Sequence, residues 1–273
     1  MRRYDLVAFD LDGTLVGADR SYSPAVRAAL ERARAAGIVL ALNTGRPCNG
    51  CRAYLPALGL TTPHVFCGGA EVRVPLDLAP VWHRAVRPEP AYRVVDACCR
   101  EAIHVEVYTP DGHAVFRRTP LARWHAALLG VEALEADLHR VIAGGPVTKL
   151  QVIAEGDSEL AAARRVVYAL EGVVIGEATT HERPEITFFN ITAPGASKGD
   201  ALEALYRYLG IPRARVAAVG DGIVDVAMFE RGGLAVAMGN APAAVQAAAH
   251  VVVPPVHEDG VVEAISRVMS HEC

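Results

Sequence analysis

The sequence predicts an α/β protein: a doubly wound parallel sheet into which a second, α+β unit is inserted. Short, near-continuous apolar runs alternate with helical patterns at both ends of the chain, whereas the middle changes to period-two alternation. Length agrees, because 273 residues that are 52% hydrophobic supply enough apolar side chains for two compact cores.

The first run, DLVAF at 5–9, reads as a strand. SPAVRAALERARAAG then offers Ser23 as N-cap and Pro24 at the first helical position, with Val26, Ala29, Leu30 and Ala33 on one face and Gly37 as the stop. IVLALN at 38–43 and HVFC at 64–67 repeat the buried-strand texture of a parallel, Rossmann-like sheet covered on both faces. From about residue 80, HVEVYT (104–109), HAVF (113–116), KLQVIA (149–154) and EITFFNI (185–191) alternate like half-buried antiparallel strands. EPAYRVVDACCREA and SELAAARRVVYALEG are amphipathic helices suited to cover one face of that second sheet. VAAVG (216–220), LAVAMG (234–239) and HVVV (250–253) return to the first texture. The expected division is a core formed by 1–80 plus 191–273 and an insert at 81–190.

The balance of charge excludes some functions. Net charge is −4 and no basic run is interleaved with aromatics, so nucleic acid has no electrostatic footprint here. Asp5 and Asp10 interrupt any signal-peptide core and no apolar stretch reaches membrane-spanning length, which predicts a cytoplasmic protein without a membrane partner. The six cysteines are irregularly spaced and read as free thiols. CNGC at 48–51 has the spacing of a metal or redox site and is expected on the first turn of a helix, but beyond Cys67 no further zinc ligand can be named. None of the ten histidines has H-x-x-x-H spacing; His181 is a candidate to face substrate, and Trp82 and Trp124 read as packing residues. Of 27 basic residues only Lys149 and Lys198 are lysine. A lysine that survives such a bias draws attention, because arginine does not replace a compact ammonium in a tight site. Lys149, opening an alternating strand, reads as a sheet residue.

Four stretches fall at the C-terminal ends of predicted parallel strands or at the start of the following helix, the edge where open α/β sheets bind ligands. They are FDLDGT (9–14), NTGR (43–46), SKGDAL (197–202) and GDGIVD (220–225). Each alone also reads as a turn or a helix cap. Together they contain what phosphoryl transfer requires. Asp10 offers a carboxylate nucleophile, which approaches an anionic phosphorus only with a divalent cation between the charges; Asp221 completes a hard-oxygen site suited to Mg²⁺. Asp12 offers general acid–base chemistry. Thr44, the amides around Gly45, and Lys198 offer donors and positive charge to phosphoryl oxygens.

This ordered set resembles the haloacid dehalogenase superfamily of aspartate-nucleophile phosphotransferases. The long insert, with AMGNAP and HEDGV downstream, resembles its Cof-type branch with a large (class IIB) cap. The resemblance implies a transiently phosphorylated Asp10 and Asp12 as acid/base. It implies Mg²⁺ held by Asp10, the Asp12 backbone carbonyl and Asp221, and a phosphoryl group bound by Thr44, Gly45 and Lys198. Asp225 would orient a metal water or Lys198, and the insert would close over substrate. The implied activity is hydrolysis of small phosphorylated metabolites, sugar phosphates first and cofactor phosphates second. A phosphomutase on the same core and a catalytically weakened phosphate- or metal-binding protein are the alternatives. The chain departs from the family at Val224, where an asparagine is usual; losing such a hydrogen bond costs about 1–3 kcal/mol, enough to weaken or respecialise an enzyme.

Overall fold

The structure, a computed structural model, describes residues 3–59, 62–75, 80–179 and 183–270. His181 and Cys273 lie outside the described residues. The chain forms two compact units, Met1–Trp82 with Ser197–Cys273, and His83–Ala196. The sequence boundary at 190/191 falls inside the strand Ile186–Thr192, which carries the insert a few residues further.

The first unit is built on a five-stranded, wholly parallel sheet in the order 251–253, 234–238, 216–220, 6–9, 39–42. Leu6–Phe9 is fully buried on both faces, as an apolar run without alternation requires. Helix Pro24–Ala35 follows the sequence pattern: Ser23 accepts a hydrogen bond from the Val26 amide at 3.1 Å, and Val26, Ala29, Leu30 and Ala33 are its buried residues. A cap of this kind is worth about 1 kcal/mol. On the sheet, Leu6, Ala8, Ala41 and Val216 pack with Ala201, Leu202 and Leu205 of helix Lys198–Tyr208 in one apolar cluster.

One strand departs from expectation. His64–Phe66 touches the parallel sheet through a single bridge, Asn43 to Val65, and otherwise pairs antiparallel with Glu71–Arg73 in a separate three-stranded sheet. The turn through Cys67, Gly68 and Gly69 reverses the chain after three residues, before a longer parallel ladder can form.

The second unit has a six-stranded sheet in the order 174–179, 186–192, 149–155, 104–109, 112–115, 134–135. Its pairs are antiparallel except the last. Helices Pro88–Arg100, Leu138–Gly144 and Gly156–Tyr168 cover one face, where Val105, Val107, Leu150, Val152, Phe189 and Ile191 join their apolar cluster. The other face is not left to solvent as the alternation suggested. Leu121, Trp124 and Leu128 of helix Pro120–Leu129 pack on Ile153, Ile186 and Phe188. Beside them Glu106, fully buried, accepts from Tyr108 at 2.6 Å and contacts His104 and His125 at 3.0 and 2.9 Å. Burial alone raises that carboxyl, but its histidine partners outweigh burial and hold it well below the usual carboxylate range. The polar half of the alternation therefore forms an internal network.

Candidate active site

The carboxyl ends of adjacent parallel strands carry the candidate residues. Asp10 follows Phe9, Thr44 follows Leu42 by two residues, and Asp221 follows Gly220, so the pairing of these strands brings all three stretches to one edge. Lys198 comes from the other direction, as the first residue of its helix. Ser197 fixes that start, accepting from the Asp200 amide at 3.0 Å, and Asn43 donates to the Lys198 carbonyl at 2.9 Å.

The Lys198 ammonium lies between two carboxylates, 2.7 Å from Asp10 Oδ1 and 2.6 Å from Asp225 Oδ1. All three residues are buried. Asp225 is held on its other oxygen by the amides of Asp221 and Gly222, at 3.0 and 2.8 Å. Both of its oxygens are thus engaged by Lys198 and the loop. Asp221 accepts from Thr14 Oγ1 at 2.7 Å and from Asn240 Nδ2 at 3.1 Å, while Asn240 also donates to the Gly13 carbonyl at 2.9 Å.

Electrostatics show what this arrangement lacks. Oxygens of Asp10, Asp221 and Asp225 all lie within 4.8 Å of one another. One ammonium cannot balance three carboxylates. Burial, reinforced by Asp225, drives Asp10 well above the usual carboxylate range although Lys198 pulls it down. Burial likewise pushes Asp221 up to about 6, against the Thr14 hydrogen bond. A hard divalent cation among these oxygens would supply the missing positive charge, and the donor set suits one.

The Asp12 side chain points elsewhere. Arg46 grips it through both oxygens, Nε to Oδ2 at 2.8 Å and Nη2 to Oδ1 at 2.6 Å. Thr44 Oγ1 accepts from the Arg46 amide at 3.1 Å. Val224 is 57% exposed, in the middle of the 3-10 turn Ile223–Asp225. Cys48–Cys51 is a single 3-10 turn and not the start of an α-helix. Burial pushes the Cys48 thiol up to about 11 and that of Cys51 well above the usual range, which disfavours the reactive thiolate.

Gly13 is required by geometry. Its φ is +85°, and a Cβ there would fall 2.3 Å from Asp221 Oδ2. Gly13→Ala is expected to displace Asp221, lowering stability by about 1–3 kcal/mol and phosphoester hydrolysis at least tenfold. Calorimetry and a phosphate-release assay on the same preparation check both.

The family model of haloacid dehalogenase-like hydrolases matches residues 7–265. The chain belongs to that family. Phosphatase YwpJ of Bacillus subtilis is 27% identical over 295 residues, spanning 97% of this chain and 99% of that protein. Pyridoxal phosphate phosphatase YbhA of Escherichia coli is 28% identical over 267 residues, spanning 91% and 92%. A crystal structure of a haloacid dehalogenase-like hydrolase from Bacteroides thetaiotaomicron shares the fold with a TM-score of 0.85, at 24% identity over 97% of this chain and 99% of that one. These findings make the chain a phosphoric monoester hydrolase of the Cof-type branch. Among the described residues of this haloacid dehalogenase-like hydrolase, no helix is long and apolar enough to cross a membrane.

Proposed function

We propose that the chain is a Mg²⁺-dependent phosphatase that transfers a phosphoryl group from a small metabolite to Asp10 and then to water. Sugar phosphates are its first substrate class. Cofactor phosphates are the second, a reading supported by the pyridoxal phosphate phosphatase relative. One observation carries the proposal: Lys198 clasped between Asp10 and Asp225, with Asp221 beside them, is a charge-deficient carboxylate site at the edge of a parallel sheet.

In this reading Asp10 attacks phosphorus, and Thr44, the Gly45 amide and Lys198 bind the transferring oxygens. Asp12 delivers a proton to the leaving oxygen and later takes one from water. Asp10, the Asp12 backbone carbonyl and Asp221 would hold Mg²⁺, which would supply positive charge to offset the anionic nucleophile and phosphoryl group. Arg46 donates to both carboxylate oxygens of Asp12, so a weakening of these two hydrogen bonds would ease its proton transfer.

Phosphate release from a panel of sugar and cofactor phosphates, with and without Mg²⁺, tests the proposal. Metal-dependent release supports it, and the substrate ranking separates the two classes; no release from any substrate overturns it. In the same panel Val224→Asn is expected to raise kcat/KM by about tenfold, since it restores one hydrogen-bonding group at the site. An unchanged value would show that position 224 takes no part in turnover.

Metal binding has its own signature in stability. Because Asp221 is raised to about 6 in the metal-free fold, the folded chain holds a proton at Asp221 that the unfolded chain has released between about pH 4 and pH 6. The contribution of Asp221 to metal-free stability therefore falls as pH rises through that window. Mg²⁺ competes with those protons, so its increment in Tm is expected to be larger at pH 7.5 than at pH 5. Differential scanning calorimetry at the two pH values checks the sign.

A further inference from the structure

We propose that Asn240 is a positioning residue for the metal site: its carboxamide holds the Asp221 carboxylate and the Gly13 carbonyl in register and so sets the affinity for Mg²⁺. The inference rests on the metal site of the phosphatase reading, and it gives a task to AMGNAP, a stretch that reading leaves without one. Asn240 exerts this role through Asp221.

One neutral side chain joins three segments of the first unit. Asn240 follows strand Leu234–Met238 by two residues, and that strand is the parallel neighbour of Val216–Gly220, whose end carries Asp221. Asn240 Nδ2 donates to Asp221 Oδ2 at 3.1 Å and to the Gly13 carbonyl at 2.9 Å, which uses both of its hydrogens. Its Oδ1 accepts from the Val256 amide at 2.9 Å. Those partners fix which end of the carboxamide faces the acid, since a flipped amide would set an oxygen against two acceptors. Thr14 Oγ1 donates to the other oxygen of Asp221 at 2.7 Å, so the carboxylate is held at both ends. Gly13 is bonded to the Asp12 carbonyl carbon, and the same amide therefore also fixes the turn from which that carbonyl projects.

The loop that carries Asn240 is itself braced. Gln246, on helix Ala243–Ala247, donates through Nε2 to the carbonyls of Gly239 at 3.1 Å and Ala241 at 2.9 Å, the residues on either side of it. Gly239 packs so closely on the segment beyond that a Cβ there would fall 2.8 Å from the Pro255 nitrogen. Asn240 is nevertheless exposed, and with water free to compete it still spends every hydrogen-bonding group of its side chain on protein. A carboxamide suits this place because it donates without carrying charge. An arginine or lysine there would also order Asp221, but its cation would compete with Mg²⁺ for the three clustered carboxylates. Removing a group that orients a metal ligand in this way typically weakens metal binding by about 10–100-fold.

Differential scanning calorimetry of the full chain across a Mg²⁺ titration at pH 7.5 reads metal affinity without requiring turnover. Asn240→Ala is expected to need about tenfold more Mg²⁺ than the parent for the same rise in Tm. Its fold should persist, because truncating an exposed side chain leaves no cavity. Gln246→Leu leaves the Asn240 side chain in place but frees its loop; it is expected to shift the titration in the same direction by about threefold, and it carries the test if Asn240→Ala does not fold. In the phosphate-release assay, Asn240→Ala should need about tenfold more Mg²⁺ for half its maximal rate, with the rate at saturating Mg²⁺ within about threefold of the parent. An asparagine with a merely structural role would lower Tm equally at every Mg²⁺ concentration. That result, or a lower saturating rate at an unchanged Mg²⁺ requirement, would overturn the inference and leave the phosphatase reading standing. A parent that responds to Mg²⁺ but releases no phosphate loses the phosphatase reading alone, and the calorimetric comparison still decides the role of Asn240. A parent whose Tm is indifferent to Mg²⁺ would overturn both.

Discussion

Asp10→Asn is expected to abolish phosphate release, by about a thousandfold or more, while leaving the fold as stable as the parent or more so. The two halves of this result have different causes. Asparagine keeps the shape of the side chain but cannot form the acyl phosphate, so the transfer step is lost. It also removes one of three clustered carboxylates, whose charged form burial already disfavours. Lys198 keeps Asp225 as partner at 2.6 Å, so the ammonium is not orphaned. Single-turnover phosphate release and urea unfolding at pH 7.5 and without Mg²⁺ measure the two halves together. An active Asp10→Asn chain would remove Asp10 from the nucleophile role. An inactive but strongly destabilised chain would instead show that Asp10 serves chiefly as a structural counter-charge for Lys198.

Much of the fold could be read because the two sheets follow different burial rules. Runs such as VAAVG and LAVAM have no polar alternation, and each lies inside the parallel sheet. The insert was harder to read. KLQVIAE alternates apolar and polar residues, yet six of its seven positions are buried, because helix Pro120–Leu129 and the Glu106 network cover the face that alternation assigns to water. A strand's pattern records which residues share a face; it does not record what packs on that face. HVFC failed for a similar reason, since a short buried strand looks the same whether it joins a parallel ladder or turns back into a small antiparallel one.

The candidate site was legible wherever chemistry demanded an unusual residue at a strand end. The lysine bias proved informative in a way the motifs alone were not: both lysines of the chain are buried, Lys198 at 4% and Lys149 at 3% exposure. Lys149 donates to Gln151 and Asn190, each at 3.1 Å, and lies 4.5 Å from the Tyr108 ring centre, as a sheet residue of the insert. Arg46, Thr14 and Asn240 were not found by sequence reasoning. Each sits in or beside a recognised motif, but their partners, Asp12 and Asp221, are defined only when distant strand ends meet. Arg46 could have been suspected from its place in NTGR, although one arginine among 25 carries little signal.

Lys198→Ala should combine both kinds of loss. Deleting the ammonium leaves Asp10 and Asp225 buried and close without a counter-charge, and breaking such a pair by removing one member costs about 3–5 kcal/mol. Phosphate release should fall to background, since the variant lacks the positive charge proposed to bind the phosphoryl oxygens. Lys198→Arg should not rescue either property, because a planar guanidinium does not fit a slot in which one nitrogen meets two carboxylates at 2.6 and 2.7 Å. The pH dependence gives the deciding sign. Burial and Asp225 already raise Asp10, and Lys198 is the principal cause lowering it, so its removal raises Asp10 further. The folded variant then holds a proton that the unfolded chain releases, and its stability falls as pH rises above the ordinary carboxylate range. Urea unfolding without Mg²⁺ should therefore find Lys198→Ala closest to the parent at pH 5 and furthest below it at pH 7.5. An equal deficit at both values would mean that Lys198 stabilises the fold through packing of its stem, and that the carboxylates find their counter-charge elsewhere.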